Sequence, residues 1–515
     1  MTLSLAFALS QLFVPPALAA ENTENTEIEV VIDPRVELVT AAVWIASGED
    51  FYGGGVDRGY AAAAREWFGP YVNHKAIRLT VENTYANFAY DAPVGWALHQ
   101  QLDLSPDAPL PQNYVDRAGG EKALKQYSKA LGNFIAKTDF NGWMGSQSSW
   151  RLQQIVRVQT ALGDTDWVGS LEAFFGEQQD RYVIVVAPFV GQHAFGPSVT
   201  REDGTREVYQ VMNPASAPGD AINGYVRNLA LHEFGHSFTN PVVDAHWPAF
   251  AESEALFAPI QRQMSDQAYG TWQITVYEHV LRACEVQLHR SMFGEAESEA
   301  LLQRYLSRGF WYLPPLVDAL DAYVADREQW PTFSDYGEAL AAVFARIAGE
   351  LTEQGPEAWL AAQTWALNLN TAMSLPGREQ RIVLPTGDGG EAAATYARSI
   401  GDNFGTAVID DSEEPPDGAV LRLYGTPASN ARLGALMDRL PIAIGEDFIA
   451  VDGQRFEGAD LRLIAVLPHP DGGPVIVYTG TNDAMIVDIN SVFHGPTGWV
   501  VAGADAEPLG TGFVR

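Results

Sequence analysis

The sequence predicts an α+β protein in two parts: a mostly helical domain with a small sheet ahead of its motif-bearing helix, then a separate α/β domain. Four observations carry this. At 515 residues the chain is too long for one compact core, and its 47% hydrophobic and 19% charged composition is that of a globular protein. Apolar residues recur at helical spacing through most of 60–175 and 223–350. Between those stretches lie two strand candidates, Arg181–Val190 (RYVIVVAPFV) and Glu207–Met212 (EVYQVM), expected to pair as a hairpin. From about Ile382 onward the character changes. Short strands (IVLP, AVLRLYG, LRLIAVLP, PVIVYTG, GWVVAG) alternate with helices expected at Glu391–Ser399, Ser429–Arg439 and Asn482–Val492, the pattern of an α/β layer domain. The boundary is expected between Trp365 and Gly377, giving domains over 28–365 and 381–515 with a linker at 366–380.

The elements follow in chain order. Leu3–Val14 is a short apolar run, and Pro15-Pro16 and Ala17-Leu18-Ala19-Ala20 follow it. An apolar run ending in a small-x-small site reads as a cleaved signal peptide over residues 1–20, too short for a bilayer that needs about 20 apolar residues. The mature chain is therefore expected to be exported, periplasmic or extracellular, with a flexible start at 21–27 and no transmembrane segment. Glu29–Ile32 is a strand candidate ended by Asp33-Pro34, and Val36–Ser47 reads as a helix. Gly53-Gly54-Gly55 fits neither a dinucleotide nor a Walker loop and is expected to be a turn. The segment Gly191–Pro197 (GQHAFGP) is expected to be a surface loop rather than part of the cleft lining, and Trp143, Trp150, Trp272 and Trp311 are expected to pack the core. The net charge of −33 repels phosphate backbones and anionic membranes, which argues against nucleic acid as a partner. The single cysteine, Cys284, excludes an internal disulfide framework and a cysteine-based zinc ribbon; it is expected to be a buried thiol.

The chemistry lies in Leu231–Phe238 (LHEFGHSF), which contains His232-Glu233-Phe234-Gly235-His236. Positions i and i+4 share one helix face, so both imidazoles reach one cation from the same side. Glu233 stands beside the first ligand, where it can take a proton from the attacking water. Zinc, Zn2+, suits neutral imidazole and carboxylate ligands and leaves a position open. With 10 histidines in the chain, such a motif is expected by chance about 0.01 times. Tyr225, Val226, Leu229, Ala230, Phe234 and Phe238 supply an apolar stripe, and Asn240-Pro241 is expected to stop the helix one turn after His236, with Asn240 as its cap rather than a cleft-lining amide.

The third ligand is open on the residues alone. Thr239 and Val242 stand where a metzincin has Gly and His, so that subclass is excluded. His246 lies ten positions past His236 and would ligate from a loop. Glu252 and Glu254 lie 16 and 18 positions past His236, and Glu278 lies 42 past it in a helix whose Val276, Val280, Ala283 and Val286 mark an apolar side. A mid-helix carboxylate in apolar surroundings needs a partner, and a metal is one. Glu254 and Glu278 remain equal candidates. His279 and Arg282 fit either an outer supporting role or a surface ion pair.

HEFGHSFTNP, LFAPI, SDQAYGTW and YEHVLRA, with IDPRVELVT, FGPYVNHKAI and PTFSDYGEAL, resemble an uncharacterised bacterial family of secreted HExxH zinc metallopeptidases, domain of unknown function 4932. The resemblance covers about residues 27–349 and implies a gluzincin-like, zincin-like peptidase domain. It favours Glu278 as third ligand, because YEHVLRA matches a recurrent block of the family and the Glu252/Glu254 stretch does not.

The expected function is a secreted zinc-dependent peptidase, acting on peptide or protein substrates, with zinc held by His232, His236 and Glu278 and with Glu233 as general base. Candidates to stabilise the oxyanion are Tyr269, His279 and Tyr277. The rival reading is an exported, non-catalytic binding or scaffold protein that keeps a zincin fold. In the C-terminal domain no charged cluster resembles an active site, and it is expected to pack on the catalytic domain or to dock a substrate or partner.

Overall fold

The computed structural model describes residues 28–47, 54–85, 87–217, 219, 221–355, 359, 368–373, 379–467, 474–492 and 497–512. The expected signal peptide and flexible start, Gly53 and much of the expected linker lie outside the described residues. The fold is mixed α+β, largely helical, with a β-rich C-terminal region. Contacts divide the chain into two compact units: one ends at Ala245 and takes in Asp326–Tyr336, and the other comprises His246–Ala325 and the chain from Gly337 onward. Among the described residues no helix is long and apolar enough to cross a membrane.

The first unit begins with strand β1 (Glu29–Val31) and helix α1 (Pro34–Ala46). Asp33 caps α1 through its carboxylate, which accepts from the backbone N–H of Arg35 at 2.8 Å, and Pro34 stands in the first turn, where its missing N–H costs nothing. Residues 36–44 are all buried, so α1 is a core helix rather than an amphipathic one. That burial includes Glu37, whose Oε1 accepts from Arg151 Nη2 at 2.8 Å, Tyr60 Oη at 2.5 Å and Trp143 Nε1 at 3.3 Å. Three donors on one oxygen, and an arginine only 3% exposed, offset the cost of desolvating the carboxylate. Arg151→Met strands Glu37 in the core and is expected to cost about 3–5 kcal/mol, read as a lowered urea midpoint. Trp143 is fully buried in the same cluster, as expected.

The small sheet comprises β1, β2 (Arg181–Val186), β3 (Ala194–Phe195), β4 (Ser198–Thr200) and β5 (Arg206–Met212). Its order is β1-β2-β5-β3, with β4 also on β5. The expected hairpin is corrected: β2 and β5 pair in parallel, with Tyr182 opposite Val208 and Ile184 opposite Gln210. The antiparallel partners of β5 are β3 and β4, which the intervening chain supplies, so β2 lies inside the sheet and is buried from Tyr182 to Val186. Gly191–Pro197 is thus no simple surface loop. It carries the edge strand β3.

Helix α2 (Ala221–Ala245) bears the motif. Phe234 meets Tyr182 of β2 edge-on with ring centroids 5.3 Å apart, and Phe238 stacks on Phe175 at 4.5 Å. These contacts fix the helix's inner face against the sheet layer. The expected stop at Asn240-Pro241 does not occur; α2 continues through Pro241 to Ala245. Pro241 has no N–H to give the Ser237 carbonyl, and Arg206 Nη2 of β5 donates to that oxygen at 3.5 Å. An external donor replaces the missing helical one.

In the second unit, α3 (Trp272–Phe293) is capped by Thr271, whose Oγ1 accepts from the Ile274 N–H, and packs with α4 (Glu295–Ser307) and α5 (Leu313–Ala325). Trp272 and Trp311 are buried here, and Cys284 is 0% exposed, as expected. The C-terminal region holds β6 (Gln380–Leu384), α6 (Glu391–Phe404), β7 (Val408–Asp410), β8 (Val420–Tyr424), α7 (Ala431–Leu436), β9 (Ile442–Ile444), β10 (Phe448–Val451), β11 (Gln454–Glu457), β12 (Arg462–Leu467), β13 (Val475–Gly480), β14 (Trp499–Ala502) and β15 (Pro508–Gly512). Seven of these strands form a mixed sheet in the order β15-β14-β12-β13-β8-β6-β7, and β9–β11 form a second, antiparallel one. The expected helix at Asn482–Val492 is corrected to two short 3₁₀ turns, Asp483–Ile486 and Ile489–Ser491, separated by Asp488 at φ 62°. A left-handed residue in mid-segment stops an α-helix from propagating.

Candidate metal centre

His232 and His236 stand one turn apart on α2, both part-buried, with ring centroids 4.8 Å apart. Among the described residues, His232, His236 and Glu278 form a group able to hold a metal ion: one ligand atom from each lies within 4.8 Å of the other two. Two neutral imidazoles and one carboxylate suit zinc and leave a position open, so the donor set fits the ion the motif implies. Glu254 and Glu252 are exposed, and neither they nor His246 belong to such a group. Of the candidates that the residues alone left open, Glu278 is the one whose carboxylate lies with the two histidines.

The surroundings orient these ligands. Asn240 Oδ1 lies 3.2 Å from His236 Nδ1, so the continuation of α2 turns the expected cap into a side chain that fixes the imidazole, with Nδ1 as donor. Glu233 is 6% exposed, and Gly196, directly after the edge strand β3, lies against it. A Cβ at position 196 would strike the Glu233 carbonyl oxygen and come within 2.8 Å of its Oε2. Glycine there lets the edge strand approach the carboxylate closely. Tyr225, two turns before Glu233 on α2, has its phenol pushed up to about 12 by burial and by the Glu233 charge, so it stays protonated at neutral pH.

Glu278 is 6% exposed in mid-α3, and its Oε2 accepts from Arg282 Nη2 at 2.8 Å. The same nitrogen donates to Tyr269 Oη at 3.2 Å. Arg282 is itself buried, 3.8 Å from Glu285, with its guanidinium 4.7 Å over the Tyr305 ring and 4.5 Å over the Phe310 ring. The surface ion pair weighed for Arg282 is replaced by a buried one. Burial and the Glu278 charge push the Tyr269 phenol up to about 12, so its O–H remains a donor at neutral pH. His279 is fully buried between the rings of Phe310 and Tyr312; its Nδ1 lies 2.8 Å from the Thr275 carbonyl, and burial pulls its pKa down to about 4. It is a neutral core histidine. Tyr277 Oη accepts from Gln273 Nε2 at 2.8 Å.

Sequence reasoning weighed Asn240 and the 191–197 segment as cleft-lining but favoured a helix cap and a surface loop, and it missed Tyr225 as a neighbour of Glu233. The helical spacing carried a signal for two of them: Asn240 is four residues past His236, and Tyr225 is seven before His232, on the same face. The position of GQHAFGP right after a strand pointed to its segment, but the role of Gly196 itself comes from sheet pairing, which the sequence does not show.

Comparison with curated proteins and with solved structures gave no match. Residues 28–343, well over half of the chain, match the family described as domain of unknown function DUF4932, and the protein belongs to that family.

Proposed function

We propose that this protein is an exported zinc-dependent peptidase that hydrolyses peptide bonds with Glu233 as general base. The observation that carries the reading is the convergence of His232, His236 and Glu278, with Glu233 retained between the two histidines. A decayed site would most readily lose the base. Zinc bound to these side chains supplies a Lewis acid and an activated water at neutral pH.

The chain's own residues account for the rest. Glu233 takes the proton of the attacking water and passes it to the leaving amine. Gly196 holds the edge strand β3 close to Glu233, and an extended peptide pairing with the outer edge of β3 through main-chain hydrogen bonds would run near that carboxylate. Tyr269, which keeps its proton and accepts from Arg282, is the candidate donor to the developing oxyanion, and Tyr225, which feels the Glu233 charge, is a second candidate. The buried His279 supports α3 and takes no part in proton transfer.

The test is elemental analysis of the purified mature chain together with a peptide-library digest. Near-stoichiometric zinc, and cleavage abolished by a chelator and restored by zinc, is the expected result. Zinc-binding without hydrolysis of any peptide would turn the case to a binding protein.

A further inference from the structure

Arg308 shares the Phe310 ring with Arg282, the partner of Glu278, and feels the Glu278 charge without forming an ion pair with it. It follows α4, is exposed, and is clamped by a reciprocal pair of hydrogen bonds: Arg308 Nε donates to Gln267 Oε1 at 2.8 Å, and Gln267 Nε2 donates to the Arg308 carbonyl at 2.8 Å. The clamp uses Nε and leaves the two terminal nitrogens, the fork that binds carboxylates side-on. Among the described residues none of the ion pairs includes Arg308, in a chain with 65 acidic and 32 basic residues. The Phe310 ring ties it to the metal centre: the Arg308 guanidinium lies 5.9 Å from that ring, Arg282 lies 4.5 Å from it, and Tyr269 packs on it at 6.2 Å.

Two arginines on one aromatic ring repel each other. Arg282 is paired with Glu278 and lies near Glu285, whereas Arg308 feels the Glu278 charge without an ion pair; desolvation and the Arg282 charge outweigh that attraction and pull its pKa below the usual value. A divalent cation on Glu278 would leave the cluster with excess positive charge. An anion arriving at Arg308 relieves this, in a protein that is otherwise strongly acidic.

We propose that Arg308 is the substrate carboxylate-binding residue of this site, so that preferred peptides present a carboxylate, as an acidic side chain or a free C-terminus, close to the scissile bond. The proposal rests on the peptidase reading and names its substrate class. An Arg308 that only braces the turn through Gln267 would not distinguish one peptide from another.

The experiment uses the full mature chain loaded with zinc and carrying Glu233→Gln, so that peptides bind without turnover. One fluorescent peptide is made in three forms: free C-terminus, C-terminal amide, and amide with a single internal Glu. Anisotropy titrations compare Arg308 with Arg308→Gln and Arg308→Lys. Arg308→Gln is expected to weaken one or both carboxylate forms about 10- to 100-fold and the plain amide less than about twofold. Arg308→Lys, which keeps the charge and loses the fork, is expected to fall between. Which carboxylate form loses affinity identifies the source. Equal losses on all three forms, or none, would overturn the proposal. Failure of the zinc-loaded wild type to hydrolyse any peptide would instead overturn the peptidase reading, while the titrations still decide whether Arg308 binds carboxylates.

Discussion

Glu233→Gln is expected to leave fold and zinc content unchanged and to lower peptide hydrolysis by about 10²–10⁴-fold. The two side chains have the same shape, so the close packing of Gly196 on this residue is preserved. What is lost is the ability to accept a proton. Because Glu233 is a base and not a ligand, the metal stays. The measurement is kcat/KM on a cleaved peptide beside zinc content for both proteins; unchanged hydrolysis in the variant would remove Glu233 from the mechanism. Gly196→Ala approaches the same point from the other side. Its methyl group must displace the Glu233 carboxylate or the strand, and activity is expected to fall with zinc again retained.

Glu278→Ala is expected to do two separable things. It removes a ligand, so zinc content falls to a small fraction of the wild-type value. It also leaves Arg282 buried with Glu285 at 3.8 Å as its nearest carboxylate, at a cost of about 3–5 kcal/mol in the metal-free protein. The double variant Glu278→Ala/Arg282→Met separates them: stability is recovered because no uncompensated charge remains, while zinc stays lost. Arg282→Met alone keeps the ligand but not its support and is expected to weaken zinc binding about 10- to 100-fold, read by competition with a chelator. Zinc retained in full by Glu278→Ala would move the third ligand elsewhere.

The motif helix was legible because HEFGH has a fixed helical geometry, and the C-terminal layers because strands and helices alternate in composition. The end of the motif helix was not. Pro241 is a local stop signal, and it is overridden by Arg206, a residue distant in sequence that supplies the missing donor to Ser237. The parallel pairing of β2 and β5 was hidden for a similar reason: two adjacent β-branched runs look like a hairpin unless the short strands between them are seen to claim the far edge. Glu278 could be proposed from its apolar neighbours, yet its partner Arg282 read equally well as a surface charge, since helical spacing places i and i+4 together without saying which face is covered. Arg308 carried no sequence signal, since its neighbours come from a turn and from α3.

Cys284 gives the molecule a clock. The only thiol of the chain lies six residues past Glu278 on α3, fully buried, and burial pushes its pKa well above that of a free cysteine. A thiol reagent therefore reacts only during the brief openings of that helix, and labelling counts those openings over minutes to hours. An ion held by Glu278 closes the same helix by mass action, so each tenfold rise in free zinc above its Kd should slow labelling up to about tenfold. The rate at which one buried sulfur disappears thus reports occupancy of a centre it never touches.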